Sequence, residues 1–349
     1  MDLPEPTAAD ERHHVPTDDP LWNESYYLDF CAPPPGDAPI GHVGGYVRIG
    51  TYPNIGVIWY WACVVGPDRP LVTVIDQTVP LPSAPGSLEI RHDGLWADHN
   101  VETPLEHFSL GLEAFGVGLD DPADVYRGAY GDRTPVAFDL EWETDGPVFR
   151  YPDILPRYEI PCRVHGEIRV GHETIELDGF GQRDHSWGPR DWWSSGWCWT
   201  AFRMDDGARL HGVTPQPTAG WSERDGPIGT STISPRSTPA TAGGQPGGTW
   251  AIGYDQEPRP DGGIDQQVVT AFAVETVPGP EGIPVAARFA MNERLFDVVP
   301  LGWSPQLLIS PDGRAARFPR GMARFTEVGG ALDGRTGLGW FELNQPPRP

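Results

Sequence analysis

A chain of 349 residues with 38% hydrophobic and 11% aromatic content is long enough for two domains that each bury a core. Its 43 glycines and 40 prolines are too many for a helical protein, because glycine loses the most backbone entropy in a helix and proline removes a donor and clashes there. The 25 basic residues are all arginines set against 49 acids; a net charge of -24 argues against nucleic-acid or anionic-membrane partners, and the absence of lysine excludes Schiff-base, pyridoxal-lysine and Walker-type phosphate-loop chemistry.

Residues 1–20 are acidic and proline-rich and read as a flexible leader. They lack a basic region followed by an apolar core, and no apolar run in the chain is long enough to span a bilayer, so the expectation is a cytoplasmic protein without membrane insertion. Cys31, Cys63, Cys162 and Cys198 lie far apart without metal or redox spacing. Strands are expected over 22–30, stopped by the prolines at 33–35, then over 44–49, 56–65 and 71–75. The run 56–65, rich in β-branched and aromatic residues, reads as a buried strand. His107 to Phe115 fits strand or a short helix, with strand preferred, and 136–143 alternates cleanly. A hairpin over 164–170 and 174–178, turning at 171–173, leads into the most chemical part of the chain.

Beyond it, 197–203 and 208–213 form a hairpin about Asp205-Asp206-Gly207. A Pro/Gly/Ser/Thr-rich stretch over about 215–248 reads as a flap or flexible insert, and strands are expected over 268–276, 284–291, 294–300, 315–326 and 337–343. The Trp59-Tyr60-Trp61 and Trp197-Cys198-Trp199 runs open similar patterns. They suggest tandem all-β domains of one plan, 21–190 and 191–349, with each tryptophan pair pointing into an interior.

The stretch Gly179 to Trp193 and its continuation to Trp199 gathers Arg183, Asp184 and His185 with Trp187, Trp192, Trp193, Trp197 and Trp199. In a strand Arg183, His185 and Trp187 face one way and Gln182, Asp184 and Ser186 the other, so Asp184 and His185 share a cavity only if the backbone bends; glycines 179, 181 and 188 with Pro189 permit that. An acid among indoles has its charged form disfavoured and can protonate an alkene, and indole faces stabilise the cation that results. The competing reading is a structural clamp of Arg183, Asp184 and Asp191 with the tryptophans as ordinary core, and the residues alone weigh the two evenly. The histidines, including a loose group of His92, His99 and His107 and another of His165, His172, His185 and His211, lack metal-site spacing, so no metal is expected. No GxSxG elbow is present.

The run Gly-x-Gly-x-Arg-Asp-His-Ser-Trp-Gly at 179–188, entered from the Val-x-Gly-x-Ile hairpin and followed by Trp-x-Trp and the Asp-Asp-Gly turn, resembles the hydroxyneurosporene synthase (carotenoid hydratase) and AttH-like superfamily. The closing Gly-Leu-Gly-Trp-Phe-Glu-Leu-Asn at 337–344 is similar to that family's last strand. The resemblance implies two tandem lipocalin-like antiparallel β-barrels with a hydrophobic cavity, acting without cofactor on isoprenoid or polyene molecules as hydratase, isomerase or cyclase. It carries Asp184 over as the acid and His185 as its partner. The tryptophans at 187, 192, 193, 197 and 199, with Trp59, Trp61 and Arg183, are the expected substrate wall. The alternatives are a carrier of a lipophilic small molecule and a pericyclase.

Overall fold

The alternation of apolar and polar residues becomes strand over most of the described residues. The computed structural model describes residues 4–33, 41–84, 86–152, 156–216 and 250–346, so the expected insert lies, past Gln216, outside the described residues. The chain divides into two units, Met1–Asp121 with Tyr130–Arg190, and Pro122–Ala129 with Asp191–Pro349.

The first unit contains β1 (Trp22–Ala32), β2 (Val43–Tyr52), β3 (Val57–Gly66), β4 (Arg69–Pro80), β5 (Ile90–His92), β6 (Leu95–Thr103), β7 (His107–Leu119), β8 (Asp132–Thr144), β9 (Phe149–Arg150), β10 (Arg157–Val170) and β11 (Glu173–Pro189). The antiparallel order β4-β3-β2-β1-β11-β10-β8-β7 closes on itself, because β4 also pairs with β7 through Leu71↔Leu119 and Thr73↔Val117. Eight strands give an interior that side chains fill or that holds one small ligand. β7 settles the one ambiguous segment: Phe108, Leu110, Leu112 and Ala114 are buried while Glu113 and Phe115 are exposed, the period of two that a half-solvated strand requires. In β1, β2 and β3 both faces are buried, which is why 56–65 reads as a continuous apolar run.

The second unit contains β12 (Gly196–Met204), β13 (Arg209–Gln216), β14 (Ile252–Pro258), β15 (Ile264–Val269), β16 (Phe272–Pro278), β17 (Pro284–Met291), β18 (Arg294–Trp303), β19 (Gln306–Ile309), β20 (Ala315–Phe318), β21 (Arg320–Val328) and β22 (Thr336–Asn344). Its main sheet runs β15-β14-β13-β12-β22-β21-β18-β17-β16, and β19 pairs only with β20 in a separate hairpin. Two expected strands are split. The first breaks at Thr270-Ala271, whose amides both donate to the Asn292 side-chain oxygen at 3.0 and 3.3 Å instead of to a neighbouring strand. The other breaks at Pro319, which has no amide to offer a ladder.

Both units place their first strand between their second and their last, β1 between β2 and β11, and β12 between β13 and β22. The repeat is therefore one of topology. By that order β3, which carries Trp59 and Trp61, corresponds to β14, and the tryptophan echo between β3 and β12 joins strands that are not equivalent.

Candidate functional site

No bend interrupts β11. Gly179 and Gly181 serve close approach to β1 instead, since a Cβ at either would fall on the Cys31 or Asp29 carbonyl oxygen. The alternation along the strand therefore holds, and cross-strand partners show which face is which. His185 lies opposite Tyr26 and Tyr158, and Arg183 opposite Leu28 and Ile160, all members of the apolar core of the first barrel. Arg183, His185 and Trp187 thus face the interior together with Glu24, the partner of Trp187 on β1.

Asp184 lies on the opposite face of the same strand, opposite Tyr27 and Glu159, where its carboxylate accepts a 2.9 Å hydrogen bond from Arg157. Burial works against the Arg157 charge, but Asp184 and Glu159 outweigh it and raise the guanidinium pKa. The structure therefore brings Arg183, His185 and Trp187 together and places Asp184 apart from them. Trp59 and Trp61 share Asp184's face: Trp61 lies under the Arg48 guanidinium at 4.5 Å, and Trp59 packs on Tyr52 at 4.5 Å. The expectation that this pair points into the barrel interior is corrected by β3 itself, whose Tyr60 and Ala62 take the inward positions.

The remaining candidate tryptophans, at 192, 193, 197 and 199, belong to the second unit. Trp192 stacks at a tilt on Trp197 at 5.3 Å and both meet Phe318. Trp193 donates to the Leu308 carbonyl at 2.9 Å, and Trp199 lies 5.5 Å from His211. Within that unit Cys198, Phe202 and Met204 take the core-facing positions of β12, which puts Trp197 and Trp199 on its other face.

Where β1 begins and β11 ends, the barrel is lined by the residues that the leader reading missed. Residues 7–14 are packed: Asp10 and Glu11 are buried, the Thr7 amide and hydroxyl close onto the Asp10 carboxylate at 2.8 and 3.0 Å, and Arg150 holds the same carboxylate at 3.0 Å. The Arg183 guanidinium donates to Glu11 at 2.6 Å, and the Tyr158 hydroxyl donates to the same oxygen. Composition hid this because the arginine and tyrosine partners of these acids lie more than a hundred residues away.

Beside that pair sits a second polar centre. The Glu24 carboxylate meets His13 Nδ1 at 2.8 Å, the His14 amide at 3.0 Å, His14 Nδ1 at 2.8 Å and His185 Nε2 at 3.1 Å. Burial opposes its charge, but the three histidines outweigh burial and hold its pKa well below the usual carboxylate range. The hydrogen bond to Glu24 raises the pKa of His13 against the opposing effect of burial. His185 is fully buried, stacked on Tyr26 at 4.0 Å, and its Nδ1 is 2.8 Å from the Asp10 carbonyl. A carbonyl only accepts, so Nδ1 carries the hydrogen, and a neutral ring would then aim the Nε2 lone pair at a carboxylate. The contact is attractive only with an electrophile between the two atoms. His14, stacked on Trp187 at 3.6 Å and 7°, completes the centre and is partly exposed.

Such a fold defines a class, that of tandem lipocalin-like β proteins, here with a charged centre built into the end of the first barrel. The chain belongs to the family described as a domain of unknown function, DUF7064, whose profile matches residues 7–347. Its fold is similar to that of a Nitrosomonas europaea protein assigned as an AttH, at 15% identity and a TM-score of 0.56, over 94% of this chain and 93% of that one. It is also similar to CghA in complex with Sch210972, at 12% identity and a TM-score of 0.53, over 95% of this chain and 90% of that one. A search of curated proteins returned no match. The resemblance read from residues 179–188 is thus met at the level of fold.

Proposed function

We propose that the protein is an enzyme that transforms a hydrophobic small molecule of the isoprenoid or polyene kind by hydration or dehydration, isomerisation or cyclisation, with its reactive centre at His14, Glu24 and His185. The observation that carries this reading is the His185 ring, fully buried and held between a carbonyl at Nδ1 and a carboxylate at Nε2, the arrangement that would retain an electrophile between Nε2 and Glu24. An electrophile there polarises an alkene or an oxygen, and the ring faces of Tyr26, Tyr158 and Trp187 beside it disperse positive charge. A carrier gains nothing from a buried charged centre, which costs several kcal/mol of desolvation per ion unless compensated. That CghA is known in complex with Sch210972 supports a small-molecule ligand for this fold.

In this reading Asp184 orients Arg157 and does not donate a proton. The apolar molecule that co-purifies with the protein, identified by mass spectrometry, supplies the substrate for the test. His185→Gln is expected to lower its turnover by about a hundredfold, the usual worth of one positioned acid–base or electrophile-holding group, while Asp184→Asn stays within a few-fold of the parent. Recovery of the molecule unchanged from the active-length protein would make it a carrier, and loss of turnover in Asp184→Asn with the fold intact would return the acid to position 184.

A further inference from the structure

We propose that His14 Nδ1, the Glu24 carboxylate and His185 Nε2 form a binding site for a divalent transition-metal cation of the zinc class. Their ligand atoms lie within 4.8 Å of one another, with Glu24 Oε1 at 2.8 Å from His14 Nδ1 and 3.1 Å from His185 Nε2. The Nε2 lone pair of a ring whose Nδ1–H is committed to a carbonyl is the form in which histidine ligates a metal, and the carbonyl partner fixes ring orientation as outer-shell acceptors do in metal proteins. Both rings are held in place, His185 on Tyr26 and His14 on Trp187, so little ordering remains for a cation to impose.

Two imidazoles and one carboxylate favour zinc, cobalt(II) or iron(II) over magnesium and calcium, which take all-oxygen shells. Three protein ligands leave a coordination position open for water or a substrate oxygen. His14, 24% exposed, marks the side from which these enter. Glu24 Oε2 keeps His13 at 2.8 Å, which orients the carboxylate without spending a ligand. The spacing that hides this site from the sequence is plain: one ligand comes from the leader, one from β1 and one from β11. The inference deepens the proposed function by naming the electrophile, and rests on that reading only for the claim that the cation acts on a substrate.

The test is metal binding without substrate. Full-length protein stripped with a chelator is dialysed against zinc and then assayed for retained metal, and cobalt(II) is titrated with the visible spectrum recorded. The site predicts one equivalent of zinc retained and cobalt bands of a four- or five-coordinate ion. His14→Ala and Glu24→Gln should each weaken binding at least tenfold, and His172→Ala, at an exposed turn, should leave it unchanged. His14→Ala alters a partly exposed residue outside any strand, and its circular dichroism checks that the fold is kept. No retained zinc with an aqua-ion cobalt spectrum, or parental affinity in both variants, overturns the site. Zinc binding without turnover of any polyene would sink the proposed function and leave this site standing; turnover by protein that holds no zinc would do the reverse.

Discussion

Replacing Glu11 by Leu, or Arg183 by Met, is expected to lower the free energy of unfolding by about 3–5 kcal/mol, the usual cost of leaving one partner of a buried ion pair uncompensated. The side chains are 2% and 3% exposed and meet at 2.6 Å. Among the described residues Arg183 Nε and Nη2 have no hydrogen-bond partner within bonding geometry, so the guanidinium depends chiefly on Glu11, with Cys162, Tyr158 and the face of Phe108 at 5.8 Å beside it. Burial works against the Arg183 charge, and Glu11 with Tyr158 and Cys162 outweighs it, raising its pKa. The combined Glu11→Leu, Arg183→Met variant removes both charges and is expected to recover part of the loss, since the two apolar groups need no partner but the buried Tyr158 hydroxyl loses its acceptor. Urea denaturation of the two single variants and the combination closes the cycle. A loss under about 1 kcal/mol in Glu11→Leu would mean that residues 7–14 leave the barrel before it unfolds, and that the polar centre is not held closed by them.

Much of the fold was legible in the sequence, and the reason is periodicity. β7 and β8 carry one solvated and one buried face, so their residues alternate and the strands announce themselves. Failures fell where that signal is absent. β14 has Gly253, Asp255 and Gln256 in seven residues, and β5 and β6 lie among turns and charges. The face assignment within 182–187 was also legible, because a strand without a bend admits only one outcome; only the supposed bend was mistaken, since Gly179 and Gly181 make room for β1 and do not redirect the chain. The centre itself was half legible. His185 and Trp187 stood out for their neighbours in the chain, but Glu11, His13, His14 and Glu24 sit in an acidic, aperiodic stretch or at a strand start. Their meaning comes from partners brought by closure of the barrel, and no local pattern encodes that. Asp184 stands out as an acid among indoles and through the motif's resemblance, but adjacency to His185 in a strand puts the two side chains on opposite faces.

Acid is expected to unfold the first unit partly through a residue outside the candidate site. His99 on β6 is 3% exposed, with Nδ1 3.1 Å from the Leu88 carbonyl, its ring edge-on to Tyr60 at 5.6 Å, and Nε2 without a partner among the described residues. Burial disfavours its charged form, only partly opposed by the Leu88 carbonyl, and pushes its pKa down to about 4 from an ordinary 6.5. The sign follows from proton counting. Below about pH 6.5 the unfolded chain binds a proton at this histidine that the folded chain refuses until about pH 4, so the stability is present in full above 6.5 and is lost as pH falls between the two values. The full loss is about 3 kcal/mol by pH 4. His99→Leu, of similar reach and unable to ionise, removes this dependence. His13, whose pKa is raised, contributes with the opposite sign, present below about 6.5 and fading as pH rises, so a single curve mixes the two. The difference between parent and His99→Leu unfolding free energies, measured by urea titration at intervals from pH 7.5 to 4, isolates the buried ring. It should shift by about 3 kcal/mol in favour of the variant across that window, and parallel curves would mean that His99 is solvated or protonated in the folded protein.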